Sequence, residues 1–129
     1  MTWDHKALPG RYAKPNAIYA VRPTGAQGPV KIGACTNPAR RLRMLNTGSP
    51  VRLEMVASMP GSIELERRIH KALTAVRERG EWFTHGPLVA AVLEWMAVGD
   101  PALWPETEAK VRAFMASYST DRTPEERAA

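Results

Sequence analysis

The run VKIGACTNPARRLRML, Val30 to Leu45, changes its hydrophobic period halfway along, and that change decides how the chain must fold. Val30 and Ile32 alternate with Lys31, the period of two expected of a strand with one buried face. After Gly33 the spacing lengthens. Pro38, Leu42 and Leu45 fall on one stripe of a 3.6-residue helix. Thr36 or Asn37 can cap that helix, and Pro38 suits its first turn. A strand running straight into an amphipathic helix implies a mixed architecture. Of the three arginines on the helix, Arg40 and Arg43 point well away from the apolar stripe, and Arg41 sits at its border.

Working outward, AIYAV, Ala17 to Val21, reads as a strand paired with VKIG through a Gly- and Pro-rich hairpin loop, RPTGAQGP. With Ile18, Val30 and Ile32 on the core face, Tyr19 and Lys31 emerge together on the other. Downstream, Val51, Leu53, Met55, Ala57 and Met59 alternate as a third strand. SIELERRIHKALTAVR is the clearest helix, with Ser62 as its N-cap and Leu65, Ile69, Ala72, Leu73 and Val76 as its core stripe. GEWF reads as a turn, with Trp82 and Phe83 as core residues and Gly80 supplying a turn conformation closed to other residues. Two further helices are expected, from about Pro87 to Val98, stopping at Gly99, and from about Pro105 to Tyr118.

Three strands and four helices, the last two an addition at the C-terminal end, put the fold class at α+β. Length suits one domain over residues 1–129. Within it, residues 17–83 form the core, 84–118 a helical extension and 119–129 a disordered tail; residues 1–15 read as an irregular arm.

The net charge of +5 is unevenly spread, +9 over residues 1–80 and −4 over residues 81–129. Most of the basic residues are arginine, the side chain that grips phosphate bidentately. A polyanionic partner, nucleic acid first, competes with a merely solvated basic surface. Cys35 is the single cysteine, so there is no internal disulfide and no CxxC metal site, and an intracellular setting, cytoplasmic or nucleoid-associated, is expected. The apolar run Leu88 to Val98 is too short to span a bilayer, and no membrane partner is expected.

On the second helix, Glu64 and Lys71 face water, while Glu66 and His70 flank the core stripe one turn apart, with Arg77 on the same side. Periodicity thus leaves Tyr19 and Lys31 on one sheet face and Arg41, Glu66 and His70 at helix borders. A phenol, an ammonium, a guanidinium, a carboxylate and an imidazole make a plausible phosphodiester-cleaving set. Each has a bland counterpart: a half-buried strand aromatic, a solvated lysine, an arginine stem covering apolar surface, and a Glu66–His70 pair of a few tenths of a kcal/mol. His85, Cys35, Trp95 and Trp104 read as structural, and Glu81 stays outside the expected site.

AIY, then KIG, then an arginine ten residues after the lysine, then ELERRIH and GEWF, in that order, resemble the GIY-YIG nuclease superfamily. The nearest likeness is to its phage-associated branch, related to the meiotically up-regulated gene type, and covers roughly Ala17 to Phe83. The resemblance implies a small three-stranded antiparallel sheet flanked by helices, and hydrolysis of nucleic-acid phosphodiester bonds with a divalent metal, Mg²⁺ or Mn²⁺. It matches Tyr19 to the first-motif tyrosine, Arg41 to the phosphate-contacting arginine, Glu66 to the metal-binding glutamate and His70 to the histidine of this branch. Ala17 replaces the first glycine, Lys31 the second tyrosine, and Leu45 a polar residue found in several relatives.

The expected function is a metal-dependent endonuclease acting on DNA, with RNA left open. In it Glu66 holds the metal, Arg41 the phosphate oxygens, and Tyr19, ahead of Lys31 and His70, serves as the base. Lys31 beside Tyr19 would lower its pKa. Arg40, Arg43 and Arg77 would bind the nucleic-acid backbone. No separate DNA-reading module is evident, so a partner protein could supply specificity. The rival readings are a degenerate fold that grips nucleic acid without cutting it, and an interaction domain using the acidic C-terminal helices.

Overall fold

The computed structural model describes residues 15–25 and 28–120. The N-terminal arm up to residue 14, two residues of the Gly- and Pro-rich loop and the tail from residue 121 onward lie outside the described residues. The elements are β1 (Ala17–Pro23), β2 (Val30–Cys35), α1 (Pro38–Thr47), β3 (Leu53–Pro60), α2 (Ile63–Ala72), β4 (Arg77–Arg79), β5 (Trp82–Phe83), α3 (Pro87–Val98) and α4 (Trp104–Thr120).

The α+β class holds, but among the described residues the sheet has five antiparallel strands, in the order β3-β1-β2-β5-β4, where three are expected. Of the two extra strands, β4 begins where the expected second helix should end, and β5 forms within GEWF, expected as a turn. That helix closes at Ala72, where the Thr74 hydroxyl donates to the carbonyls of Lys71 and His70, and a single 3₁₀ turn follows over Thr74–Val76. Leu73 and Val76 still pack inward, so their helical spacing is real although the helix has ended. The chain then turns at Gly80, whose φ of +57° is a left-handed value that only glycine adopts without strain. Strands of three and two residues are too short for a period to register.

Capping follows the sequence. Asn37, not Thr36, caps α1 by accepting from the Arg40 amide, and Ser62 caps α2 by accepting from the Leu65 amide at 3.1 Å. Each such cap is worth about 1 kcal/mol. Asn46 then ties α1 to β3, accepting from the Leu53 amide at 2.7 Å and donating to the Leu53 carbonyl at 3.1 Å. Gly99, at φ +80°, ends α3 as expected.

β3 departs from simple alternation. Ala20 pairs with Ala57 but Val21 pairs with Met55, so Val56 is an extra residue, a β-bulge. The bulge switches faces: Met55 packs on the α1 side, whereas Ala57 and Met59 pack on the other. The five alternating residues therefore do not share one face. Val51 lies before the strand and is exposed.

The sheet has a helix side and a smaller side. Ile18, Ala20, Val30, Ile32 and Phe83 face α2, α3 and α4, packing with Ile69, Leu73, Val92, Trp95 and Trp104. Trp95 and Trp104 are core residues as expected, their rings 5.0 Å apart. On the opposite face Ala17, Tyr19, Val21 and Cys35 lie under α1, against Leu42 and Leu45. Phe83 is in the core, but Trp82, one residue away on a strand, turns to the other face and lies half-buried beneath Lys31, 5.7 Å from its Nζ. Among the described residues, no helix is long and apolar enough to cross a membrane.

Candidate active site

The shortness of β5 makes a notch. β5 pairs with β2 only at Val30 and Lys31, and one further bond, Ile32 N–H to the Glu81 carbonyl at 3.0 Å, extends the contact. Beyond it, among the described residues, the outer edge of β2 has no strand partner. Side chains from both faces of the sheet gather around this edge.

From the α1 face come Tyr19 and Arg41. Tyr19 is fully buried, and its hydroxyl accepts from Arg41 Nε at 3.2 Å. Tyr19 pairs with Gly33 on β2, and a Cβ at position 33 would stand 2.6 Å from the Tyr19 hydroxyl and 2.6 Å from Glu81 Oε2. Glycine is required there for space, because phenol and carboxylate both crowd that point. Arg40 and Arg43 are exposed, as expected from the helix period.

From the α2 face come Glu66 and His70, each about four-fifths buried, with His70 Nδ1 3.9 Å from Glu66 Oε1. The imidazole is held from two sides: Nε2 lies 2.7 Å from the Ile32 carbonyl, and the ring packs on Phe83 with centroids 5.2 Å apart. A carbonyl only accepts, so Nε2 carries a proton.

Glu81 joins the two groups. Its Oε1 lies 3.9 Å from Lys31 Nζ while its Oε2 faces Gly33 and Tyr19. One ligand atom from each of Glu66, His70 and Glu81 lies within 4.8 Å of the others. The motif pattern leaves Glu81 outside the expected site. No period finds it, because Glu81 lies in the turn just before the two-residue β5 and reaches the site only through the pairing of β5 with β2.

Burial raises the Tyr19 pKa; the Arg41 bond and charge oppose the rise, and Glu81 adds to it. The expected lowering by Lys31 does not occur, since Lys31 turns to Glu81 and Trp82 instead. The Tyr19 bond holds Arg41 more firmly charged than usual. Glu66 is also pushed up, first by burial and then by Glu81, against the charge of His70 and the Ala34 amide. Cys35, pushed up to about 11 by burial, stays a thiol and fits its structural reading.

Arg77 is the residue the helix reading misplaces. It lies on β4, exposed, and its Nε donates to the Gly80 carbonyl at 2.6 Å, closing the β4–β5 turn. Tyr19, Lys31, Arg41, Glu66 and His70 do gather at the notch. The donor set fits a hard or borderline divalent cation: carboxylate oxygens plus an imidazole, close enough for small side-chain rotations to bring them to bonding distance.

A family model, the T5orf172 domain, matches residues 16–98, running past Phe83 through α3. The domain is associated with phage and with nuclease-type proteins. No curated protein and no solved structure matches the chain.

Proposed function

The chain belongs to the T5orf172 domain family, and on that premise we propose that it is a metal-dependent endonuclease of the GIY-YIG type, hydrolysing phosphodiester bonds in DNA. The observation that carries this reading is the meeting of Tyr19, Arg41, Glu66 and His70, from three elements far apart in the chain, around one sheet edge.

Glu66 would hold a divalent cation, Mg²⁺ or Mn²⁺, which would supply positive charge to the phosphate and to the leaving 3′ oxygen. Arg41 spends its Nε on Tyr19 and keeps its terminal N–H groups for the nonbridging phosphate oxygens. The Tyr19 bond thus fixes the direction of the guanidinium. Tyr19, buried and with a raised pKa, keeps its proton and orients the attacking water, so the base role expected of it is the part of the reading that changes. Lys31, at the rim and beside Trp82, meets the incoming strand. Arg40 and Arg43 make outer phosphate contacts.

The test is nicking of supercoiled plasmid with Mg²⁺ or Mn²⁺. Arg41→Ala and Glu66→Ala are expected to lower nicking by about a hundredfold or more, the scale of a lost charge-stabilising group at a transition state. Salt-sensitive DNA binding without nicking by the unmodified protein would instead establish a non-cleaving nucleic-acid module. Neither binding nor nicking would leave the C-terminal helices as a protein-interaction surface.

A further inference from the structure

We propose that Glu66, His70 and Glu81 together form a three-ligand cation site, two carboxylates and one imidazole, selective for a first-row transition dication over Mg²⁺. It deepens the nuclease reading, which needs only Glu66, and it rests on that reading only for what the cation does.

The imidazole points to this. The Ile32 carbonyl, 2.7 Å from Nε2, fixes the proton there and leaves the Nδ1 lone pair facing inward in the neutral ring. What Nδ1 faces is Glu66 Oε1 at 3.9 Å, itself an acceptor. Two acceptors share a point favourably only through a proton or a cation. A histidine whose outer N–H is anchored on a backbone carbonyl is the usual arrangement for a metal-binding ring, because the anchor sets both tautomer and orientation. Phe83 restricts the ring further.

The two carboxylates supply the rest. Glu66 is about four-fifths buried on α2, and the Glu81 backbone is fixed by the bond from the Ile32 N–H to its carbonyl, one step beyond the pairing of β5 with β2 at Val30 and Lys31. All three ligand atoms lie within 4.8 Å of one another. Around an octahedral ion, neighbouring ligand atoms stand about 3 Å apart and opposite ones about 4 Å, so modest rotation of the glutamates closes the site. Glu81 also contacts Lys31 at 3.9 Å, so a cation taking that carboxylate weakens the hold on Lys31 and frees its ammonium for phosphate.

The imidazole sets the preference. Mg²⁺ seeks oxygen ligands and keeps its waters, whereas nitrogen donors favour later metals, along the order Mn²⁺ < Fe²⁺ < Co²⁺. Calorimetric titration of the full chain, without DNA, with Mn²⁺, Co²⁺ and Mg²⁺ tests this. Mn²⁺ should bind about tenfold or more tightly than Mg²⁺, and Co²⁺ tighter still. Glu81→Gln should weaken Mn²⁺ binding about 10- to 100-fold, and His70→Gln should erase the preference for Mn²⁺ over Mg²⁺. A second measurement needs no variant to fold: on adding Zn²⁺, the His70 Nδ1 resonance should shift in a ¹⁵N imidazole spectrum.

Equal affinity for Mn²⁺ and Mg²⁺ with an unmoved Nδ1 resonance would overturn the proposal, as would full Mn²⁺ affinity in folded Glu81→Gln. Nicking that survives those results keeps the nuclease and sinks the three-ligand site. Selective cation binding without nicking does the reverse.

Discussion

The two faces of the sheet are built from the same strands and differ in kind. On the α2 side, Ile18, Val30, Ile32 and Phe83 meet Ile69, Leu73 and Trp95 in a continuous apolar layer. On the α1 side, a smaller cluster of Ala17, Val21 and Cys35 surrounds a phenol whose oxygen must be satisfied by a guanidinium. A buried polar group costs free energy unless it is paired, and its pair fixes geometry as well as energy. The first face therefore carries stability, and the second, backed by it, can hold Tyr19 and Arg41 in one arrangement. The notch lies where the two meet, at the β2 edge that β5 leaves open.

That division can be broken by substitution. Ile69→Ala, in the fully buried apolar layer, should give the largest loss of stability, about 2–5 kcal/mol in urea denaturation. Nicking per folded molecule should be unchanged, and a loss matching that of Arg41→Ala would refute the separation of roles. Gly33→Ala should cost less, about 1–3 kcal/mol, because the new methyl meets the immobile Tyr19 ring and the Glu81 carboxylate. Here nicking should fall further than stability does, and adding Tyr19→Phe should recover part of the stability by removing one of the crowded oxygens.

The smallest effect should have the opposite sign. Burial raises the Glu66 pKa, so the folded protein carries a carboxylate that favours its proton. That cost is present above the raised folded value, fades as pH falls through it, and is absent below the ordinary value of 4.5. Glu66→Gln should therefore raise the metal-free Tm at pH 7, with the gain vanishing near pH 4, while nicking is lost. A lower Tm at pH 7 would show that the charged carboxylate stabilises the fold, the opposite of what a raised Glu66 pKa requires.

What local pattern determined was each element that spans several residues of one period. Alternation placed Tyr19 and Lys31 on one face, Pro38 and Asn37 opened α1, and helical spacing put Arg41, Glu66 and His70 at borders and left Arg40 and Arg43 in solvent. Each of these follows from the repeat of side-chain direction along a regular backbone. The tertiary structure decided the rest: the bulge at Val56, the short β4 and β5 strands, the position of Arg77 and the inclusion of Glu81. These depend on which strand lies beside which. Sheet order brings Glu81 against β2 and so between Tyr19 and Glu66, and contacts between residues so distant in the chain leave no period in the sequence.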